Sequence, residues 1–309
     1  MKFSKEKEES IIQDYLNGDS TVKIATKWNT YNTSIRRVLK RYNIPLRNLK
    51  EANSRVKVCP FKDNDEYSEY FLGLLLTDGC IYKSKNSYST SLALKDRELV
   101  EEFRDFINPE AKVSQILQKN YGTYVYSYSV RSDLVADWLN ERGNFVDKSN
   151  KCDIYYPINW HVLRGIFDGD GYWHPTNKGN TMTWGVCGKS EIFLNKIKNF
   201  LTTQNITSHL RKVQRGEISY LFYLEVTKLC DVVKIAKMMY LGAHIFLKRK
   251  YERWHLFEET LREKFLKFRE GETPLNPEPS HNRNNHLYNK KDGRFIMEGA
   301  ETIIGYLNL

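Results

Sequence analysis

The sequence contains two nine-residue stretches of the same pattern, FLGLLLTDG at residues 71–79 and LRGIFDGDG at residues 163–171. Each is an apolar segment of helical character with a small residue at its third and seventh positions, and each ends in Asp-Gly. The small residues are Gly73 and Thr77 in the first stretch and Gly165 and Gly169 in the second. Residues four apart lie on one face of a helix, and small side chains there let another backbone approach closely. The pattern therefore predicts two helices that pack directly against each other.

An aspartate ends each predicted helix, Asp78 in the first and Asp170 in the second. Close packing would bring the two carboxylates near one another and near the negative ends of two helix dipoles, which is unfavourable without a cation. A shared divalent metal resolves this conflict, and acidic oxygens with open coordination positions suit Mg²⁺ and a phosphodiester substrate. A single Asp-Gly is more simply explained as a helix end and a turn. Two copies at matching positions favour the metal site.

The surroundings of the two stretches repeat as well, over residues 64–150 and 151–268. Each unit has the predicted order helix-strand-strand-helix-strand-strand-helix, and a long amphipathic helix follows the second. Short turns between paired strands imply antiparallel pairing rather than the long crossovers of a parallel sheet. The predicted fold class is α+β, with two pseudo-symmetric αββαββα repeats.

Residues 1–50 predict a small all-α unit of three short helices. The third helix has an apolar stripe on one side, and its polar side carries Ser34, Arg36, Arg37 and Lys40. A helix-turn-helix has these features, because its last helix places polar and cationic side chains in the DNA major groove. The alternative is a small structural bundle with a solvated basic face. The other segments are interpreted as a linker at 51–63 and a polar tail at 269–309.

The charge of the chain is uneven along its length. Its 309 residues include 48 Lys and Arg against 38 Asp and Glu, for a net charge of +10 and a pI near 9.1. Residues 1–50 carry +6, residues 51–150 carry −3 and residues 151–309 carry +7. Two basic segments around a slightly acidic one indicate a polyanionic partner, with nucleic acid favoured over an anionic membrane.

Several protein classes are disfavoured by the sequence. The longest apolar run, residues 71–76, is far shorter than the roughly 20 residues that a membrane span needs. The N-terminus has no apolar core or cleavage signature, which argues against secretion. Five cysteines without a Cys-x-x-Cys pair argue against a disulfide framework and a structural zinc. We expect a cytoplasmic protein, bacterial or phage-encoded, or an organellar one.

The doubled motif within a doubled helix-strand pattern resembles the LAGLIDADG homing endonucleases in their single-chain, two-motif form, over residues 64–260. Members of that family pack the two motif helices at the centre and lay a saddle of antiparallel strands along the DNA major groove. The resemblance implies site-specific double-strand DNA cleavage across the minor groove, with short 3′ overhangs. It also implies dependence on Mg²⁺, with Mn²⁺ as a substitute.

Site residues follow from the same resemblance. The implied metal site consists of Asp78, Asp170, Thr77 and Gly169. The family also places a basic residue late in each half, near the scissile phosphates, and this position is matched by Lys148 and Lys248. A lysine there can polarise the attacking water or offset charge on the developing phosphorane. The competing explanation is a solvated surface lysine.

Alternation along the saddle strands would place every second side chain toward DNA and the others toward the core. In the first repeat the predicted DNA-facing residues are Tyr82, Ser84, Ser91 and Arg131. In the second repeat they are His174, Thr176, Thr183, Arg211, Gln214 and Arg215. Where the second strand of each repeat ends, the family often has a polar residue in the water network, a position matched by Lys95 and Lys189. A register error of one residue would invert any strand set.

Three functions are compatible with these features. The first is a homing endonuclease of a mobile genetic element, free-standing or intron-encoded, because the chain lacks an intein splicing signature. The second is a non-cleaving DNA-binding regulator on the same fold, against which the retention of both aspartates argues. The third is an RNA maturase that helps its host intron splice. Double-stranded DNA is the expected partner, with host intron RNA possible and no membrane, and a monomer is expected because both motifs lie on one chain.

Overall fold

Two helices in direct backbone contact form the centre of the main core. The computed structural model describes residues 3–47, 56–84, 87–118, 122–145, 148–176, 179, 181–215, 219–269, 303 and 305. The first motif helix spans Glu66–Thr77 and the second spans Trp160–Asp170. Side chains cap both: Asp65 accepts from the Ser68 N–H at 2.9 Å, and Asn159 accepts from the Val162 N–H at 3.0 Å.

The other elements follow in the predicted order. The N-terminal unit consists of α1 (Lys5–Leu16), α2 (Thr21–Lys27) and α3 (Asn32–Arg41). The first repeat consists of α4 (Glu66–Thr77), β1 (Gly79–Ser84), β2 (Ser87–Leu94), α5 (Arg97–Ile107), β3 (Ser114–Gln118), β4 (Thr123–Arg131) and α6 (Asp133–Asn140). The second repeat consists of α8 (Trp160–Asp170), β7 (Gly171–Thr176), β8 (Thr181–Gly188), α9 (Glu191–Thr203), β9 (His209–Arg215), β10 (Ser219–Val226) and α10 (Leu229–Tyr240), followed by α11 (Lys248–Arg269).

A short connection between the repeats was not expected from the sequence. It consists of β5 (Gly143–Asn144), α7 (Lys148–Lys151) and β6 (Asp153–Ile154), in which the two strands pair antiparallel. Strands of two residues carry no readable alternation, so the sequence pattern could not reveal them.

The two repeats have the same sheet topology. The first sheet has the strand order β1-β2-β4-β3 and the second has β7-β8-β10-β9. Every pairing in both sheets is antiparallel. The α+β fold of two αββαββα repeats with antiparallel sheets is therefore confirmed.

The motif helices touch through their glycines. A Cβ added at Gly73 would lie 2.2 Å from the carbonyl oxygen of Val162, and one added at Gly165 would lie 2.0 Å from that of Tyr70. The obstructing atoms are backbone atoms of the opposite helix, which cannot move aside as a side chain can. The predicted close packing is observed, and it requires glycine at both positions.

A buried arginine adds a second connection between the repeats. The guanidinium of Arg164, on the second motif helix, donates to Glu66 of the first motif helix at 2.5 Å. It also donates to the carbonyl oxygens of Met239 at 2.6 Å and Ile245 at 2.8 Å. The Arg164 guanidinium thus links the start of α4 to the end of α10 and to the segment between α10 and α11.

The apolar core extends beyond the predicted repeat boundaries. One continuous cluster joins the two repeats, and it includes Val56 and Phe61 of the predicted linker and Ile303 of the predicted tail. The N-terminal unit has its own small cluster around Ile11, Ile24 and other side chains of its three helices. Among the described residues, no helix is both long enough and apolar enough to cross a bilayer.

The glycine contacts predict a strong effect of a single methyl group. We expect Gly73→Ala and Gly165→Ala each to lower the free energy of unfolding by about 3 kcal/mol, because the methyl group would push the two helix backbones apart. Urea unfolding followed by circular dichroism measures this difference. Gly188→Ala is the matched control, since a Cβ there meets nothing within 4 Å. Equal stabilities for Gly165→Ala and Gly188→Ala would contradict the packing.

Candidate metal centre and nucleic-acid interface

The two motif aspartates lie side by side where the motif helices end. Asp78 caps the first helix, and its N–H donates to the Leu74 carbonyl at 2.9 Å. Asp170 is the last residue of the second helix. A Cβ built at Gly169 would lie 3.0 Å from Oδ2 of Asp78 and would overlap the Thr77 side chain. The structure therefore brings together Asp78, Asp170, Thr77 and Gly169, as the sequence predicts.

Both carboxylates are electrostatically strained. Each reaches solvent, but dense packing of the helix ends around them partly desolvates them. This desolvation, together with the negative charge of Asp78, raises the pKa of Asp170 to about 6. Desolvation also raises the pKa of Asp78, while Lys148 and Lys250 oppose that shift. The two carboxylates repel each other, and a bound cation would offset this repulsion.

Lys148 lies over the end of the first motif helix. Its ammonium group donates to the carbonyl oxygen of Thr77 and, at 3.3 Å, to that of Leu75. Burial lowers the pKa of Lys148, and the nearby Asp78 opposes the shift. The predicted lysine is thus at the centre, where it caps helix carbonyls that lack intrahelical donors.

The corresponding lysine of the second repeat is Lys250. Its buried ammonium group donates to the carbonyl oxygens of Phe167 at 2.6 Å, Asp168 at 2.9 Å, Gly169 at 3.2 Å and Gly171 at 2.5 Å. Burial lowers its pKa to about 8, against the attraction of Asp168.

The structure corrects the expectation for Lys248, which is exposed and lines a separate groove with Asp96 and Glu252. Residues two apart on a helix point about 200° apart, so Lys248 and Lys250 cannot both face the motif. The family resemblance led to Lys248, whereas the lysine that the structure places at the end of the second motif helix is Lys250, two residues later. The sequence does not reveal which side of α11 faces the second motif helix, so it could not distinguish Lys248 from Lys250.

Asp168 is buried, unlike Asp78 and Asp170, which reach solvent. Its Oδ2 atom accepts from the Tyr70 hydroxyl at 2.9 Å and from the Leu247 N–H at 2.7 Å. Burial raises its pKa to about 6, and the hydrogen bond from Leu247 opposes this shift. Asp168 thereby fixes the beginning of α11, three residues before Lys250, to the second motif helix.

The donor set fits a hard divalent cation with few protein ligands. Within the part of the chain that the structure describes, no three His, Cys, Asp or Glu side chains converge on a metal position. Neither Asp78 nor Asp170 accepts a hydrogen bond from the described residues, so their oxygens are available. Mg²⁺ is commonly held by one or two carboxylates plus waters and substrate phosphates. The carbonyls of Thr77 and Gly169 already accept from the two lysines, so the carboxylates are the principal ligands offered.

One face of the first sheet carries the predicted polar residues. The strand register places Tyr82, Ser91 and Arg131 on the same face, and Ser84 occupies a register position there too. Its other members are hydroxyl-rich and include Ser89, Ser127 and Ser129. Lys95 is exposed just after β2.

The equivalent face of the second sheet carries more charge. The register places His174, Thr176, Thr183, Arg211 and Arg215 on one face, with Thr183 almost wholly covered. Lys189 is exposed just after β8.

Gln214 is a correction to the predicted second-sheet set. It neighbours Arg215 and pairs with Tyr220, and this register turns it to the opposite face. The predicted set contained two adjacent residues of one regular strand, which cannot share a face.

The third N-terminal helix presents its predicted cations. Arg36, Arg37 and Lys40 are exposed and Ser34 is half-buried. Arg41, at the helix end, remains largely exposed but pairs with the buried Glu8, which also accepts from the Tyr42 hydroxyl at 3.0 Å. The basic face is thus held on a folded three-helix unit, although this geometry alone does not identify a helix-turn-helix.

Comparison with known proteins supports the motif. Residues 160–239 match the family described as LAGLIDADG-like domain. The matched residues run from the start of the second motif helix almost to the end of α10 and include Asp170, whereas Lys250 lies beyond them.

Other likenesses are more distant. Uncharacterized protein MJ0314 of Methanocaldococcus jannaschii is 28% identical over 159 residues, which cover 47% of this chain and 57% of that protein. The structure of the homing endonuclease I-WcaI bound to its DNA recognition sequence has a TM-score of 0.45 and 16% identity, and covers 60% of this chain and 85% of that one. I-DmoI in complex with DNA and Mn has a TM-score of 0.42 and 16% identity, over 58% of this chain and 98% of that one. Full-length DUF199/WhiA from Thermatoga maritima has a TM-score of 0.42 and 15% identity, over 70% of this chain and 69% of that one.

The two second-repeat lysines predict unequal effects on stability. We expect Lys250→Met to lower the free energy of unfolding by about 3 kcal/mol, because it leaves helix-end carbonyls buried without donors. Lys248→Met should change it by less than about 0.5 kcal/mol, as for most exposed positions. Guanidinium unfolding of the two matched variants measures the difference. Similar losses from both substitutions would show that Lys250 is not the buried capping residue.

The raised pKa of Asp170 predicts that replacing its carboxylate with an uncharged group increases the free energy of unfolding by an amount that depends on pH. Its folded pKa of about 6 exceeds the ordinary value of 3.8, so its stabilising contribution is full below pH 3.8 and is lost as pH rises through 6. In the presence of a chelator, Asp170→Asn should therefore be more stable than the wild type at pH 7 and lose that advantage at pH 4. Chemical denaturation across this pH range tests the expectation. An advantage that does not vary with pH would exclude the proposed repulsion.

Proposed function

We propose that this protein is a site-specific DNA homing endonuclease that makes a metal-dependent double-strand break at a long target and leaves short 3′ overhangs. The observation that carries the proposal is the pairing of Asp78 and Asp170 at the adjoining ends of the two motif helices. Each helix end is also capped by a lysine, the half-buried Lys148 or the buried Lys250. The LAGLIDADG-like domain match agrees with this assignment of the second half.

The carboxylates and lysines divide the chemistry between them. Asp78 and Asp170 would hold Mg²⁺, or Mn²⁺ in its place, and the cation would supply a bound water of lowered pKa and charge neutralisation at the phosphate. Lys148 and Lys250 keep positive charge beside the carboxylates, where negative charge develops on the phosphorane.

The duplicated architecture suits cleavage of both strands. Each repeat contributes one aspartate, one lysine and one four-stranded sheet. A single chain with both motifs has no need of a second subunit, so we propose that the active form is a monomer. The basic face of α3 would add contacts beyond the two sheets and lengthen the target.

Cleavage is favoured over regulation without cleavage because two strained carboxylates are present, neither of which accepts a hydrogen bond from the described residues. A binding protein gains nothing from this repulsion, which lowers its stability at neutral pH. No feature of the described residues favours RNA maturase activity. A role in a mobile genetic element, free-standing or intron-encoded, follows from the proposed cleavage activity.

Incubation with a library of randomised and genomic duplexes in Mg²⁺ at low salt, followed by sequencing of the cut ends, tests the function. We expect paired breaks with short 3′ overhangs for the wild type. Asp78→Asn and Asp170→Asn should each reduce double-strand cleavage by about 10²-fold or more while DNA binding remains, since they remove charge stabilisation at the reacting phosphate.

Asp105→Asn is the matched control, because this aspartate lies on the exposed surface of α5 and its ion pair within the described part of the chain is with the neighbouring Arg104. Full activity of Asp105→Asn with loss in the two motif variants supports the assignment. Normal cleavage by either motif variant would overturn the metal site. Duplex binding without any metal-dependent break would leave the non-cleaving regulator as the function.

A further inference from the structure

Arg211 is held in place on the polar face of the second sheet. Its Nε atom lies 2.8 Å from Oε2 of Glu225, and its Nη2 atom lies 3.3 Å from Oε1. The Tyr172 hydroxyl donates to the same Oε1 at 2.6 Å. One edge of the planar guanidinium is therefore bound to a carboxylate that is itself oriented by a second strand.

Tyrosine contacts complete this support. The guanidinium lies over the ring of Tyr223, 4.3 Å from its centroid, and the hydroxyl of Tyr223 accepts from Arg215 at 2.8 Å. The hydrogen bond from Arg211 lowers the pKa of Glu225. The pKa of Tyr172 is raised, mainly by burial and also by the hydrogen bond that Tyr172 donates to Glu225. Glu225 therefore stays ionised and Tyr172 stays protonated at neutral pH, so the support persists. About half of the Arg211 side chain, 52%, remains exposed.

We propose that Arg211 recognises a guanine in the major groove of the DNA half-site facing the second sheet, with Glu225 and Tyr172 as positioning residues. This inference rests on the DNA-binding part of the proposed function. The bound edge uses Nε and Nη2, which leaves the Nη1–Nη2 end of the guanidinium for a ligand. Two parallel N–H donors at that end match O6 and N7 of guanine, the acceptor pair that arginine most commonly recognises.

A base edge fits this site better than a backbone phosphate. The carboxylate behind Arg211 repels a phosphate, whereas the guanine edge is neutral and offers two acceptors. The guanidinium is also immobilised before binding, so less side-chain entropy is lost when it contacts a base. Mobile arginines suffice for phosphates, but a fixed plane selects among base edges.

The proposed guanine requirement belongs to one half of the target. The equivalent face of the first sheet presents mainly hydroxyl groups, including those of Ser91, Ser127 and Ser129, together with Arg131. Hydroxyls donate and accept and therefore discriminate weakly among bases. We expect the half-site over the first sheet to tolerate more substitutions than the half-site over the second.

Selection of binding sites from randomised duplexes, with a chelator present to prevent cleavage, tests the proposal on the full-length protein. We expect one position in the second half-site to prefer guanine by about 10- to 100-fold in the wild type. Arg211→Gln should abolish the preference at that position and leave the others unchanged. Lys212→Gln is the matched control, because Lys212 neighbours Arg211 on the opposite face and packs over Tyr220 at 4.0 Å.

Glu225→Gln separates positioning from a merely structural role. Removing its negative charge should raise affinity for random-sequence DNA, or leave it unchanged, while the guanine preference falls several-fold. A purely structural defect would weaken binding to all sequences together. Tyr172→Phe, which removes only the hydroxyl, gives a milder loss of preference and serves if Glu225→Gln fails to fold by circular dichroism.

Other outcomes overturn the inference. A uniform loss of affinity in Arg211→Gln, with a salt slope smaller by about one, would make Arg211 a phosphate contact. The absence of any guanine-dependent position in the wild type would also overturn it, even if the protein binds and cuts DNA. Failure to cleave leaves the inference intact if guanine selection is present. Failure to bind any duplex at low salt removes both the inference and the proposed function.

Discussion

The close backbone contact of the two motif helices determines the geometry of everything around it. Glycine at Gly73 and Gly165 lets each helix rest on a carbonyl oxygen of the other. At that separation the helix ends adjoin, and both terminal aspartates face the same space. A wider crossing would separate Asp78 from Asp170, and the cation that we propose could then no longer contact both. Packing and chemistry are therefore linked through two missing side chains.

The adjoining helix ends also bring unpaired carbonyl groups together, and Lys148 and Lys250 donate hydrogen bonds to these groups. Lys148 and Lys250 perform the same capping role but are supported differently. In the second repeat, Asp168 fixes the start of α11 through the Leu247 N–H. In the first, the corresponding motif position is Leu76, whose carbonyl accepts from the Cys152 thiol at 3.5 Å. The pseudo-symmetry of the centre is thus maintained by unlike side chains.

The main features of the fold were predictable because they repeat with clear periods. The motif glycines, the strand alternation and the helix stripes each have a local signature, and the α+β repeats follow from them. Lys250 could not be located in this way because the second repeat has ten more residues than the first between the aspartate and its lysine. Gln214 was misplaced because the register of an exposed strand depends on its partner. Glu225 and Tyr172 gave no signal, since their importance arises from contacts across strands rather than from spacing along the chain.

The hydrogen bonds of the buried Arg164 couple the two repeats when the protein unfolds. The buried guanidinium of Arg164 loses the Glu66 carboxylate if the first repeat opens, whereas its bonds to the Met239 and Ile245 carbonyls lie within the second repeat. A buried cation left without its ionic partner would be unfavourable. Opening of the first repeat alone is therefore disfavoured, although the two repeats have separate sheets. The duplicated halves should melt in one cooperative transition, so a protein built by repetition has become a single thermodynamic unit.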